Sequence, residues 1–169
     1  WSYVGSKLHG ELAVFAAAEQ YSIPSTVIRY HNVYGRRMGV NHVIPDFIHR
    51  ALNGVYKLNG AYDTRSFIHV KDAVNATVFV AESEKFINEI VNIGSEEEIM
   101  ILDLAKMIME LLDVKEEIEI FPSPKGSVLR RCPDLKKLKK VLPIISTIEL
   151  KDGLKDVIED IKEGYKEIK

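Results

Sequence analysis

Apolar residues recur at three- and four-residue intervals through much of this chain, and short β-branched runs separate the segments that show the pattern. Residues 3–20 (YVGSKLHGELAVFAAAEQ) are Ala-rich with helical spacing and predict a helix that ends before Ile23-Pro24. Residues 25–29 (STVIR) predict a buried strand. A polar, glycine-punctuated stretch over residues 31–42 is longer than a simple connection needs. Pro45 is expected to open a second helix, running to Leu52 and closed by Asn53-Gly54. Residues 55–58 and 65–69 predict short strands, and Lys71-Asp72 starts a helix that continues through Ala81. Residues 90–93 (IVNI) predict a strand stopping at Gly94, and residues 102–112 an amphipathic helix that buries Leu104, Ile108 and Leu111. A strand over 118–121, a short Lys-rich helix over 133–141 and a last helix over 148–165 complete the series.

Helices alternate with most strands and no segment repeats, so the chain is expected to form one α/β domain. Its 169 residues can bury a real core, and 46% apolar with 28% charged residues is ordinary for a globular protein. A net charge of −2 offers no general attraction for nucleic acid or an anionic membrane. Lys136, Lys137, Lys139 and Lys140 alternate with Leu135, Leu138 and Val141 at helical spacing, which predicts a solvated helix face rather than a nucleic-acid patch. No apolar run approaches the ~20 residues of a membrane helix, and residues 1–11 lack the basic and apolar regions of a signal peptide. The single cysteine, Cys132, excludes an intrachain disulfide and fits a reducing cytoplasm. The five histidines show no H-x-x-x-H spacing and no Cys or Asp companions, so no metal site is expected. The chain begins without methionine and enters helical sequence at once, as a piece of a longer protein would.

Tyr3 and Lys7 lie four residues apart, on one face of the first helix. A phenol with a pKa of about 10 is a poor base at neutral pH, and a nearby ammonium favours its ionised form. Spacing alone leaves two unrelated surface residues as the simpler reading, and Tyr165 with Lys169 repeats it at the other terminus.

The neighbouring segments change that balance. Tyr3, Ser6, Lys7 and Glu11 resemble the Y-x-x-S-K-x-x-x-E pattern of the extended short-chain dehydrogenases/reductases, the NAD-dependent epimerase/dehydratase family. Residues 29–35 (RYHNVYG) are similar to that family's R-x-x-N-x-Y-G, and residues 65–72 (RSFIHVKD) to its R-D-[FY]-x-[HY]-V-x-D, with Ser66 in place of Asp. Asn92 and Gly94 resemble an N-x-G turn, and residues 126–137 (GSVLRRCPDLKK) resemble G-D-x-x-x-R-x-x-D-x-x-K, with Ser127 in place of the acid. These segments keep the family's order and approximate spacing over the whole chain.

The resemblance implies a fold and a set of roles. The fold would be α/β: the C-terminal part of a Rossmann-like doubly wound sheet, with a small α/β substrate-binding lobe. Residues 1–169 would form a single fragment holding the last strands, the catalytic helix and that lobe. The glycine-rich dinucleotide half would be absent, and no G-x-x-G-x-x-G run occurs in these residues. Tyr3 would be the acid/base that exchanges a proton with a sugar hydroxyl while NAD (or NADP) exchanges hydride. Lys7 would favour the ionised phenol and hold the nicotinamide ribose, making both cofactor-binding residues. The partner would be a nucleotide-diphosphate sugar, and the intact enzyme a homodimer built through the helix bearing Tyr3. NAD(P) binding by these residues alone would be weak.

The substrate residues carry a physical rationale of their own. Asn32 is either a turn asparagine or, given the flanking pattern, a donor to a diphosphate oxygen. Arg65 offers a permanently charged guanidinium that matches a diphosphate with two parallel hydrogen bonds. Arg131 occupies the place of a second contacting arginine, with Arg130 pointing elsewhere in an extended segment. Residues 55–58 would lie against the base, through the backbone near Leu58 and with Tyr56 either stacking on it or packing as a half-buried strand residue. The acid replaced by Ser127 would hold base or ribose, so that contact stands in doubt. Two other classes stay open: a catalytically silent nucleotide-sugar-binding module, and an interaction protein that retains only the fold.

Overall fold

The computed structural model describes residues 2–164. In chain order the elements are α1 (Ser2–Tyr21), β1 (Thr26–Tyr30), β2 (Val33–Tyr34), α2 (Val43–Leu52), β3 (Lys57–Asn59), β4 (Thr64–Ser66), β5 (Ile68–His69), α3 (Val70–Glu82), β6 (Glu89–Ile93), β7 (Glu98–Met100), α4 (Ile101–Leu111), β8 (Glu119–Phe121), β9 (Arg130–Arg131), α5 (Lys136–Lys139) and α6 (Leu150–Lys162). The Tyr165–Lys169 pair and the end of the last predicted helix lie outside the described residues.

Parallel pairing dominates, as expected of an α/β chain. β1 pairs with β6 from Thr26 opposite Glu89 to Tyr30 opposite Ile93. β2 pairs with β5 and β3 with β8, also in parallel. β4 is the centre of a three-stranded sheet, antiparallel to β7 and parallel to β9. The single strand predicted over 65–69 is therefore two strands in different sheets. Alternation of side chains continues through Phe67, so residue types alone do not reveal that the backbone changes hydrogen-bonding partners there. β7 and β9 have no prediction behind them; both are too short to establish a period. Pro45 sits in the third position of α2 rather than the first. Its missing N–H costs nothing there, because the first turn's amides have no partner within the helix.

Two apolar clusters hold the elements together. One gathers Ile68, Ala76, Val80, Val91, Ile93 and Leu138 between β6, α3 and α5. The other packs α2, α4 and α6 through Phe47, Ile48, Leu104, Ile108, Leu154 and Val157. At ~25 cal/mol per Å² of apolar surface removed from water, each fully buried Leu, Ile or Phe contributes ~1.5–3 kcal/mol. Tyr34 enters the second cluster, packing edge-on to Phe67 with ring centroids 6.3 Å apart. Gly153 of α6 makes room for it, since a Cβ there would lie 2.2 Å from the Tyr34 hydroxyl.

The helix α1 stands partly outside this packing. Ala18 is its buried residue, while Tyr3, Leu8 and Leu12 are exposed. It is tied to β1 by a bidentate ion pair, Arg29 Nε and Nη2 donating to Glu11 at 2.7 and 2.6 Å. Two residues of the resembled motifs thus serve to dock the helix. Asp72, in the first turn of α3, does similar work. It is buried and accepts from Thr147 N at 3.0 Å, Thr147 Oγ1 at 2.6 Å and Ile148 N at 3.0 Å, which anchors the segment leading into α6.

Candidate functional site

Strand β4 places Arg65 opposite Arg131 of β9 in the parallel register, so two guanidiniums stand side by side across the sheet. Like charges directly opposite one another destabilise a sheet unless an anion joins them. Both arginines line one cleft, together with Asn32, Asn59, Asp63 and Ser127, against an apolar wall that includes Met38 and Phe67. Arg65 is held in place: Nη1 donates to the Thr64 carbonyl at 2.7 Å and the Leu129 carbonyl at 3.3 Å, and Nη2 lies 3.4 Å from Asp63 Oδ2. Burial and the nearby Arg131 charge push its pKa down from the ordinary arginine value, against the pull of Asp63. Arg131 is exposed beside it. Arg130, the neighbour, turns away to pair with Glu98, as alternation in a strand dictates.

Asn32 enters the cleft with φ +43°, a left-handed conformation that asparagine tolerates. Its amide nitrogen donates to the Ser66 carbonyl at 2.7 Å, which fixes the side chain and leaves its second N–H for a ligand. The acceptor is the Ser66 backbone carbonyl, and the Ser66 side chain itself is buried.

Tyr3 and Lys7 do not line this cleft. They line an adjoining open hollow between α1 and β1, with Arg29, Tyr30 and His31 on its far wall. The Lys7 ammonium lies 5.2 Å from the centroid of the Tyr3 ring. His31 belongs to the hollow and Asn32 to the cleft, so the end of β1 separates the two. Burial lowers the His31 pKa against the opposing pull of nearby Asn92, and the Arg131 and Arg29 charges add to the lowering.

The other expected residues sit elsewhere. Leu58 is a core side chain at 2% exposure, and Tyr56 packs half-buried against the same cluster. The strand β3 starts at Lys57, two residues later than predicted, and pairs with β8 over the core; alternation then sends Leu58 inward. Asn59, not Leu58, reaches the cleft from this strand. Asp63 and His31 were not singled out from sequence. Asp63 stands two residues before the motif arginine, and that proximity was the available signal. Ser127, where the motif has an acid, gives its hydroxyl to Asp63 Oδ2 at 2.9 Å.

Residues 1–94 match the NAD dependent epimerase/dehydratase family. The chain belongs to that family. It is 34% identical to the UDP-N-acetyl-alpha-D-glucosaminuronate decarboxylase of Bacillus cytotoxicus, over 96% of this chain and 54% of that protein. It is 32% identical to a dTDP-4-dehydro-6-deoxy-D-allose reductase of Streptomyces bikiniensis, over 83% of this chain and 44% of that one. Among solved structures, the UDP-glucuronic acid 4-epimerase of Bacillus cereus, in complex with UDP-glucuronic acid and NAD, superposes with a TM-score of 0.87 at 28% identity, covering 96% of this chain and 53% of that one. The chain spans about half the length of these relatives, and its α/β fold is their Rossmann-like fold. As a member of the family it carries, in Tyr3 and Lys7, a phenol and an ammonium facing one open hollow. That donor set fits the ribose and nicotinamide end of NAD, whereas the glycine-rich turn that cradles a pyrophosphate has no counterpart in the sequence.

Proposed function

We propose that this chain forms the sugar-nucleotide-binding part of an NAD(P)-dependent enzyme that epimerises, dehydrates or decarboxylates a nucleoside-diphosphate sugar by transient oxidation of a sugar carbon. The in-register pair Arg65 and Arg131, sharing one cleft with Asn32, carries the reading. Two guanidiniums this close cost stability on their own, and a diphosphate converts that cost into charge-assisted hydrogen bonds. With the diphosphate there, the sugar extends past His31 toward Tyr3, which takes the hydroxyl proton. Lys7 favours the phenolate by its charge and offers donors to the cofactor ribose. Bound NAD(P) supplies the hydride acceptor, and most of its binding surface belongs to a segment outside these residues. Placing hydroxyl and phenol together accounts for much of the rate. A half-buried lone cysteine, Cys132, fits a cytoplasmic setting, and exposed Leu8 and Leu12 on α1 suit a helix-to-helix dimer contact.

Calorimetric titration with UDP and UDP-glucuronic acid tests the reading. Saturable binding is expected, and Arg65→Ala should weaken it about 10- to 100-fold, the size of a charged hydrogen bond. No binding by the parent chain, or equal affinity in the variant, would overturn it.

A further inference from the structure

A third large concavity lies apart from the cleft and the hollow, between α4 and β8. It encloses about 650 Å³ over an apolar floor of Leu102, Met109, Val114, Ile118 and Ile120. That is the size of a specific ligand site rather than of a packing defect. Local structure explains how it forms. α4 ends after Leu111, and Asp113, at φ +56°, takes the left-handed turn that sends the chain back toward β8. Helix and strand then face one another across the groove.

β8 presents an open edge there. It pairs with β3 on one side and, among the described residues, with no strand on the other. Glu119 N donates to the Tyr56 carbonyl at 2.9 Å, and the Phe121 carbonyl accepts from Gly60 N at 3.1 Å. Glu119 and Phe121 thus direct their peptide groups to β3, and Ile120 between them turns its N–H and C=O to the open edge. The Ile120 side chain is 43% exposed and shares the groove face with Ile118. A strand laid along this edge would bond to the Ile120 backbone and cover the apolar floor.

Charge selects the strand. Asp113, Glu116 and Glu117 rim the groove against Lys106 and Lys115, while Glu110 is paired with Lys151. The carbonyl end of α4 adds partial negative charge, and no basic residue stands in its last turn to offset it. Glu119, on the other face of β8, meets Lys57 only at 3.7 Å. A second copy docking here about a two-fold axis would set the same acidic rim against itself. We propose that α4 and β8 form a docking groove for an extended segment of a partner protein in which apolar residues alternate with Lys or Arg. The apolar residues would face Ile118 and Ile120, and the basic ones Glu117 and Glu119 across the strands.

The probe is a fluorescein-labelled Lys-Val-Lys-Val-Lys-Val peptide, titrated by anisotropy at low salt and mapped by NMR. Saturable binding is expected, with amide shifts over residues 102–110 and 117–121. The Glu-Val counterpart should bind at least about tenfold more weakly, the equivalent of one charge-assisted hydrogen bond. Two peptides carry N-methyl groups on alternate nitrogens, one on the valines and one on the lysines. One should lose about tenfold and the other keep its affinity, because a strand offers only one edge to its neighbour. Ile120→Lys should weaken binding by a similar factor, with the rest of the NMR spectrum unchanged. No binding, shifts outside the groove, equal affinity for the Glu-Val peptide or equal affinities of the two methylated forms would overturn the proposal. So would a dimer of the chain alone that Ile120→Lys dissociates, which would give the groove to a second copy.

Discussion

His69 lies at 2% exposure with its ring edge-on to Tyr34, Nδ1 accepting from the Lys71 amide at 3.3 Å and Nε2 3.8 Å from Asp156. Nδ1 is an acceptor in this bond, so the neutral ring carries its proton on Nε2. Burial holds its pKa below the ordinary 6.5; Asp156 opposes this and Lys71 adds to it. The unfolded chain therefore takes up a proton first as pH falls. Stability is complete above about pH 6.5 and declines as pH drops toward the depressed value. The melting temperature should fall between pH 7 and pH 5, and His31, shifted the same way, contributes too. His69→Asn keeps an acceptor at the head of α3 without a titrating ring, so its melting temperature should vary less over that range. An unchanged pH slope would contradict the assignment. At this scale Arg65, Asn32 and Arg131 could be read from sequence because a motif surrounds them. Asp63 could not, since an isolated acid carries no period and its meaning comes from Ser123 and Ser127, sixty and more residues away.

Gly153 lies inside α6, where alanine would ordinarily add about 1 kcal/mol of helix stability. Here the methyl would meet the Tyr34 hydroxyl at 2.2 Å, so Gly153→Ala should destabilise the protein by about 1–3 kcal/mol, as overpacked cores do. Urea denaturation measures this, and a stabilised variant would show that Tyr34 moves aside freely. Asp72 joins α3 to the approach to α6 through three hydrogen bonds. Asp72→Ala strands the Thr147 and Ile148 amides and should cost about 2–4 kcal/mol by the same assay; a loss under 1 kcal/mol would show that water replaces the carboxylate. The longer helices were visible in the sequence because their periods run for about three turns, whereas the helix expected over 133–141 shrinks to the single turn of α5, Lys136–Lys139. Strands of two or three residues, such as β7 and β9, leave no such trace and exist because β4 pairs with them. The split of residues 64–69 between two sheets depends on partners far along the chain, which local alternation does not encode.

The whole molecule arranges two apolar clusters so that a cleft and a hollow open on either side of the end of β1. One wall of the hollow is α1, whose exposed Tyr3, Leu8 and Leu12 belong to a chain spanning about half of its relatives' length. Fold class was readable from the alternation of helices and strands with the family motifs; the division of the motif residues between cleft and hollow was not, because it is set by the tertiary path from β1 to β2. The central claim is that Asn32, Arg65 and Arg131 hold a diphosphate while the sugar passes His31 toward Tyr3. Amide chemical-shift mapping by NMR tests it most directly. UDP should perturb residues 32, 59–67 and 127–131, and UDP-glucuronic acid should add residues 3–7 and 29–31. Perturbations confined to the apolar groove between α4 and residues 113–120, or the same footprint for both ligands, would contradict it.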